Sequence, residues 1–390
     1  MWKTITAVAA LVFVLVCDLA LGQNVSVTDY EVAVSTAKDL RFDVNYAFDR
    51  QGDSTRVDQG FGGVAFKKFY SSLPFAWNVD VTGSSSKSRG DFTSILDFVG
   101  RFNRYVDEQK DVFGFGRLAV NYITEADILG RDEPRIDVTI GGGYGRFVNA
   151  SPLAKAVRIE DFLIKEGILK DHLPKEIILE LATLIRKEGE YSDRYGAVYE
   201  AKWYNDMEKI MGKSGLLRKE GLGALGAVRI GEVLYREKVQ DRYYGYDITA
   251  GAGATLSTPD TTMERGKALM SLGFRWSRPV AWRSQLDQQF ILNTPFDVDM
   301  FNIITITQTS RLVYELSNRI DFSVSHILFF KKLADVSNGE DETFVDNSVR
   351  LAFLFYLENY INLTVNLGFD KYEGQDMVTT FNTGLRFDIW

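Results

Sequence analysis

The sequence predicts a mostly β fold, a transmembrane antiparallel β-barrel of about 14 strands (roughly 12 to 16) with an α-helical insertion after the sixth strand. Three observations predict it. Apolar and polar residues alternate with period two along most of the chain, the period changes to 3.6 over 149–240, and the chain opens with a secretory leader. We therefore expect a signal peptide at 1–22, barrel segments at 23–148 and 241–390, and the insert at 149–240.

The first 22 residues have the three regions of a signal peptide. Lys3 provides the positive charge, Ile5–Val16 the apolar core, and Ala20–Gly22 the small-residue cleavage site. The apolar core is too short for a spanning helix. An alternative makes Cys17 a lipoprotein acylation site, which the preceding Val16 disfavours. Since Cys17 is the only cysteine, the mature chain would lack disulfides, thiolate zinc sites and covalently attached haem, and we predict no cofactor and no metal site.

Period-two alternation defines the strands. Leu40, Phe42 and Val44 share one face, opposite Arg41 and Asp43, and the same pattern recurs up to the C-terminus. Residues 28–38 continue the register of the first strand and are expected to lead into it. The predicted strands are 39–50, 57–70, 73–83, 90–105, 112–123, 133–147, 242–257, 266–277, 279–293, 298–316, 319–332, 343–357, 359–371 and 377–390.

Three features favour a membrane barrel over a soluble sandwich. The strands are long enough to cross a bilayer at a tilt, and aromatic residues cluster at strand ends. Polar loops also alternate with tight turns, as in barrels with periplasmic termini. The predicted loops are Arg50–Arg56, Gly83–Gly90, Ile123–Glu133, Ser257–Arg265 and Lys332–Glu342. The predicted turns are Ser71-Ser72, Ser277-Arg278, Ser317-Asn318 and Glu358-Asn359.

The insert has helical periodicity. Ser151-Pro152 is the expected N-cap and first helical residue, and apolar faces follow at Ile177–Ile185 and at Tyr195–Met211. A glycine-rich link at Gly212–Gly226 precedes a last helix at Ala227–Arg236. Strand parity places the insert on the periplasmic side, either below the barrel or inside its lumen. The aromatic stripe at Tyr195–Trp203 is interpreted as helix–helix core rather than a ligand platform.

The C-terminus resembles the assembly signal of bacterial outer-membrane barrels. Asn382, Gly384, Phe387 and Ile389 fit its polar–glycine–aromatic–hydrophobic spacing, and Trp390 adds one residue beyond the usual end. The resemblance implies recognition by the barrel assembly machinery and location in the cell outer membrane, in contact with lipid and lipopolysaccharide. It covers the architecture of the barrel and does not reach the insert.

No catalytic site is predicted. His172 is interpreted as a solvated loop residue between helices, and His326 as a residue on the lipid-facing side of a strand. A lipase-type pair with Ser325 is disfavoured because adjacent strand residues point to opposite faces, although a serine on a neighbouring strand would share the face of His326. The acidic loop 338–342 and the glycine run 141–145 match neither a calcium loop nor a phosphate-binding loop.

Charged residues on the polar faces of the strands are candidates for a pore lining. Pairing of these charges across strands is expected whether or not ions pass, above all between the first and last strands. The candidates are Arg41, Asp43, Asp80, Arg135, Asp137, Asp247, Lys267, Arg275, Arg283, Asp287, Arg311, Arg386 and Asp388.

Two functions follow from this organisation. The first is a porin-like channel or transporter for small solutes, with the insert as plug, gate or periplasmic module. The second is a non-conducting structural barrel whose insert docks a periplasmic partner or the cell wall. A formal net charge of −8 without a basic patch argues against binding of nucleic acid.

Overall fold

The structure is a computed structural model. It describes residues 24–31, 34–51, 54–72, 74–88, 91–124, 133–218, 221–236, 239–258, 268–297, 300–317, 320–334, 341–358 and 361–387. The predicted signal peptide lies outside these residues.

Within the described ranges, fourteen antiparallel strands form one sheet, in which each strand pairs with its neighbours in sequence. This confirms the predicted mostly β fold with a helical insertion after the sixth strand. The strands are β1 (Ser35–Gln51), β2 (Ser54–Ser71), β3 (Phe75–Ser88), β4 (Asp91–Tyr105), β5 (Val112–Thr124), β6 (Arg135–Asn149), β7 (Tyr243–Ser257), β8 (Ala268–Ala281), β9 (Ser284–Pro295), β10 (Ile303–Ser317), β11 (Ile320–Ala334), β12 (Asp341–Glu358), β13 (Ile361–Lys371) and β14 (Val378–Phe387).

The insert between β6 and β7 is helical. Its helices are α1 (Ser151–Lys165), α2 (Lys175–Arg186), α3 (Glu188–Tyr195), α4 (Tyr199–Gly212) and α5 (Gly223–Gly231), with a π-helical turn at Glu232–Arg236. The predicted N-cap at Ser151 is wrong by one residue: Ala150 occupies that position, and Pro152 lies within the first turn. In the described part of the chain, none of the helices is both long and apolar enough to span a membrane.

The strand register separates the sheet into two continuous faces. Residues opposite each other in an antiparallel ladder project to the same side. One row therefore joins Ser277, Asp287, Arg311, Ser325 and Arg350, which are successive partners across β8 to β12. We call this side, which carries most of the charged strand residues, the polar face, and the opposite side the apolar face.

Two predicted loops and one predicted turn are wrong. The strands extend into Arg50–Arg56 and Gly83–Gly90, so that β1 reaches Gln51 and β3 reaches Ser88. At these strand ends the residues on both sides of the sheet are polar. The alternation therefore disappears from the sequence, although the ladder of backbone hydrogen bonds continues. The turn predicted at Ser277-Arg278 lies instead at Trp282-Arg283, because Val280 continues the apolar alternation and β8 pairs with β9 as far as Ala281.

The main hydrophobic core lies in the insert and not between layers of the sheet. Leu153, Leu163, Leu181 and Trp203 are fully buried in it. The segment before β1 joins the same core through Val25, Val27 and Tyr30, so these residues pack against the helices. The predicted lead-in at 28–38 is thus a strand only from Ser35 onward.

Candidate functional site

A buried ion-pair cluster joins the insert to the sheet. Glu315, two residues before the end of β10, accepts hydrogen bonds from Arg158 of α1 and from Arg242, just before β7, the latter at 2.6 Å. The side chains of Arg242 and Glu315 are 1% and 4% exposed. We call Arg158, Arg242 and Glu315 the arginine latch. Buried charges need complete hydrogen bonding, so the latch fixes α1 against the strand end.

Arg242 is satisfied in full. Its Nε and Nη2 groups donate to the carbonyl oxygen of Trp282 at 3.2 and 3.0 Å, and Nη1 donates to the carbonyl oxygens of Gln240 and Asp241. Trp282 lies in the turn between β8 and β9. Arg242 therefore connects the exit of the insert to two different hairpins of the sheet.

Further contacts place the whole insert at this end of the sheet. Asp321, at the start of β11, accepts hydrogen bonds from Gln240 at 2.7 Å and from Tyr356 of β12 at 3.3 Å. Lys38 near the start of β1 pairs with Asp193 of α3 at 3.1 Å. All of these strand positions lie where β6 ends and β7 begins. In the described part of the chain, these contacts join the helices to the last few residues of the strands at this end of the sheet.

The N-terminal segment reinforces this arrangement. Lys175 of α2 pairs with Asp29 at 2.7 Å, and the hydroxyl of Tyr244 on β7 donates to the carbonyl oxygen of Tyr30. The Lys175 ammonium group lowers the pKa of Asp29 below its ordinary value. The segment, the insert and the sheet thus form one connected end of the molecule.

Two ion pairs lie on the polar face, one across neighbouring strands as the sequence analysis expected and one within a single strand. Arg275 of β8 forms a bidentate pair with Asp247 of β7, its direct partner in the ladder, with Nε at 3.0 Å from Oδ1. On β6, Arg135 pairs with Asp137 at 3.0 Å within the strand. The Asp247 side chain is buried while that of Arg275 is about half exposed. These two pairs neutralise charge locally, and the exposure of Arg275 and Arg135 leaves charged groups accessible to water.

Most of the pore-lining candidates share the polar face. The register places Arg41, Asp43, Asp80, Arg135, Asp137, Asp247, Arg275, Asp287, Arg311 and Arg386 there. The side chains of Arg41 and Arg386 are not described, and Lys267 and Asp388 lie outside the described residues. The predicted cluster of Arg41 and Asp43 with Arg386 and Asp388 stays a prediction, because of these four side chains the structure describes only that of Asp43.

The predicted position of Arg283 is wrong. The sequence analysis places Arg283 on a strand, but it lies in the turn between β8 and β9. There it borders a cavity of about 50 Å³ together with Arg158, Asp161 and Glu315. Because the turn was misplaced by five residues, the alternation assigned this arginine to the wall of the sheet. It belongs to the surroundings of the latch.

Glycines of β6 make room for aromatic rings on the polar face. A Cβ atom on Gly143 would lie 2.4 Å from the Phe113 ring, and one on Gly141 would lie 2.3 Å from the carbonyl oxygen of Ala250. Larger side chains would displace these neighbours. Gly141 and Gly143 therefore leave space for neighbouring atoms that a larger side chain would displace.

The C-terminal signal lies on the last strand as far as it is described. Asn382 and Gly384 are in β14, opposite Asn366 and Thr364 of β13, and Phe387 is the final residue of β14. Ile389 and Trp390 lie outside the described residues. Recognition by an assembly machinery stays a prediction.

His172 differs from its prediction as a solvated loop residue. Its Nδ1 lies 3.0 Å from Oε2 of the buried Glu160, whose Oε1 accepts the backbone N–H of Leu173 at 2.5 Å. Asp161 adds a second carboxyl group, whose oxygen lies within 4.8 Å of the ligand atoms of Glu160 and His172. Both oxygens of Glu160 already have partners, so the group is explained as a clasp that holds the loop after α1. The helical spacing of Glu160 gave no indication that a histidine twelve residues later would contact it.

The clasp makes the insert sensitive to pH. Burial raises the pKa of Glu160, and the hydrogen bond to Glu160 raises the pKa of His172 above 6.5. A group whose pKa is raised on folding stabilises the fold at low pH, and that stability is lost as the pH rises through the folded pKa. We expect proteolysis of the insert to be faster at pH 8 than at pH 6, and His172→Gln to remove most of the difference. A rate that is equal at both pH values in the wild type would contradict this.

The apolar face carries an unexpected polar group. Ser310 of β10 is the direct ladder partner of His326 of β11, and Nε2 of His326 lies 3.3 Å from Oδ1 of Asn347 on β12. Ser325 projects to the polar face, as predicted from its adjacency to His326. Sequence analysis missed Ser310 and Asn347 because only the cross-strand register brings them to His326.

No protein-family model matches this chain, and no match is found among characterised proteins.

Proposed function

We propose that this chain is a porin-like outer-membrane channel or transporter for small solutes, and that its helical insert covers the periplasmic mouth of the pore. In this proposal the sheet closes into a barrel with the polar face inside and the apolar face toward lipid. The observation that carries it is the position of the insert: its arginine latch and the Gln240–Asp321 bond attach to polar-face residues at one end of the sheet. In this proposal, a helical module at that end of the sheet lies across the opening of the barrel.

The composition of the two faces supports this orientation. Leu40, Phe42 and Val44 are exposed on the apolar face of β1, as lipid-facing residues of an outer-membrane barrel are. On the other side, Asp247, Arg275 and Asp287 line neighbouring strands. Fourteen strands enclose a lumen wider than the side-chain-filled interior of an eight-stranded barrel. Charged groups of both signs suit polar solutes better than apolar ones.

A second candidate function is docking to a periplasmic partner, and one observation favours it. Leu225, Val228 and Tyr235 near the C-terminal end of the insert are 48%, 52% and 45% exposed. Such a stripe on a helix is suited to a protein contact. In this function the barrel is an anchor that does not conduct.

Conductance through planar bilayers tests the proposal. We expect the mature chain to conduct little, and a variant with residues 150–240 replaced by a short Gly/Ser turn to open a large steady conductance, because the mouth is then uncovered. Heat-modifiable gel mobility serves as the control that both barrels are folded. Silence of both folded proteins would reject the channel and leave the docking function.

A further inference from the structure

Five neutral polar side chains form a patch in the middle of the apolar face. We call Gln288, Gln308, Ser310, His326 and Asn347 the amide patch. The ladder places Ser310 between Gln288 of β9 and His326 of β11, and Leu328 between Gln308 and Asn347. Ser310 is the central residue of β10. The patch is therefore surrounded by apolar residues above and below it on the same strands.

The patch is hydrogen-bonded internally but not completely. Ser310 Oγ donates to Oε1 of Gln288 at 2.7 Å, and Nε2 of Gln308 donates to Ser310 Oγ and, at 3.2 Å, to Oε1 of Gln288. Among the described residues, no contact engages Nε2 of Gln288, Oε1 of Gln308 or Nδ2 of Asn347. The amide nitrogens of Gln288 and Asn347, the amide oxygen of Gln308 and Nδ1 of His326 are therefore left over in the described part of the chain.

In the membrane orientation proposed above, these groups would face hydrocarbon. A polar group without a hydrogen-bond partner in an apolar medium is costly, and in membrane proteins such side chains are typically satisfied by a neighbouring protein surface. We infer that the amide patch is the centre of an interface with a second copy of this chain. This inference rests on the proposed membrane barrel.

The chemistry of the patch fits an identical partner. An amide carries both a donor and an acceptor, so a two-fold axis through the patch lets the spare Nε2 of Gln288 reach the spare Oε1 of Gln308 in the other copy, and the reverse. Phe290, Leu312 and Leu328 border the patch and supply apolar contact. The patch contains no carboxylate, lysine or arginine, so it does not suit the phosphates and divalent ions of lipopolysaccharide.

The geometry does not favour ester hydrolysis by Ser310, His326 and Asn347. The hydroxyl of Ser310 donates a hydrogen bond to Gln288. Among the described residues, no hydrogen bond joins Ser310 to His326. A nucleophilic serine needs the histidine as its proton acceptor. The patch also lies mid-strand, about 12 Å from either edge of an apolar band about 25 Å tall, while lipid esters lie at those edges.

Cross-linking of single cysteines in native membranes tests the interface. The only native cysteine, Cys17, lies in the predicted signal peptide, so an introduced cysteine stands alone. We expect Leu312→Cys and Leu328→Cys to give a dimer with a short bismaleimide, and Val81→Cys, on the apolar face of β3, to give none. Cross-linking to a different protein, or equal cross-linking of all three, overturns the inference.

The mass of the detergent-purified protein gives the second test. The wild type should be a dimer, and Gln288→Leu/Gln308→Leu should weaken dimerisation by about tenfold or more, since interhelical hydrogen bonds in membranes contribute on this scale. Gln289→Leu, which changes the neighbouring glutamine on the polar face, should leave the dimer intact. A monomeric wild type overturns the inference, as does release of fatty acid from phospholipid vesicles that Ser310→Ala abolishes.

Heat-modifiable gel mobility separates the two proposals. A folded, membrane-inserted monomer contradicts the dimer interface and leaves the proposed membrane barrel intact. A wild type without a heat-modifiable form contradicts the membrane barrel, and with it the setting in which the patch requires a partner.

Discussion

Replacing Glu315 with glutamine is expected to release the helical insert from the end of the sheet. The change keeps the size of the side chain but removes the carboxylate that lies between the buried guanidinium group of Arg242 and the partly exposed guanidinium group of Arg158. Removing one partner of a buried ion pair costs about 3 to 5 kcal/mol, because the charges that remain are uncompensated. Docking of the insert should weaken by this amount, while the ladder of the sheet stays intact.

Limited proteolysis of the folded full-length protein measures this effect. Cleavage within the insert follows the population of its open form when reclosing is fast, so Glu315→Gln should raise the rate by about two to three orders of magnitude. Glu180→Gln is the matched control, because Glu180 pairs with Lys213 at an exposed position and such pairs contribute about 1 kcal/mol or less. Equal rates for the two variants would show that the latch does not hold the insert.

Replacing Trp203 with alanine is expected to unfold the insert and to spare the sheet. Trp203 is fully buried, its indole N–H donates to the carbonyl oxygen of Leu184 at 2.9 Å, and its ring packs between Tyr191 and Tyr204. Removing a large buried aromatic side chain costs about 3 to 5 kcal/mol. Because the helices supply most of this core, with a smaller contribution from Val148 of β6 and Tyr244 of β7, the loss should fall mainly on the insert.

Two readouts test this separation. The insert of Trp203→Ala should become protease-sensitive, while heat-modifiable mobility of the barrel persists. Val198→Ala, at a position that is 60% exposed in the same insert, should change neither property. Loss of the folded sheet in Trp203→Ala would mean that the strands depend on the core of the insert, which would contradict this prediction.

The sheet was predictable because its signal is local and repeated. The alternation from Leu40 to Val44 recurs in each strand, and Ser151-Pro152 marks the change of period closely. Strand ends were less predictable, since β3 continues through small polar residues to Ser88, where neither face is apolar. The β8–β9 turn lies five residues beyond its predicted place, because β8 continues through Pro279 and pairs with β9 as far as Ala281.

The contacts that define the site were not predictable from sequence. Arg158 and Glu315 are separated by 157 positions, and Ser310 meets His326 only through the register of β10 and β11. Such pairs depend on which strand residues lie opposite each other and on where a helix meets a strand end. The charged residues of the polar face were predictable as a group, because alternate residues of a strand project to the same side of the sheet. The individual partner of each charge could not be predicted in this way.

The central claim is that the polar face lines a water-filled lumen and that the apolar face meets lipid. Cysteine accessibility along β8 in reconstituted vesicles tests it most directly, using a charged, membrane-impermeant thiol reagent. Ser271→Cys and Arg275→Cys on the polar face should react, and Leu272→Cys and Phe274→Cys on the apolar face should be protected. Reaction at all four positions, or at the apolar pair alone, would contradict the claim.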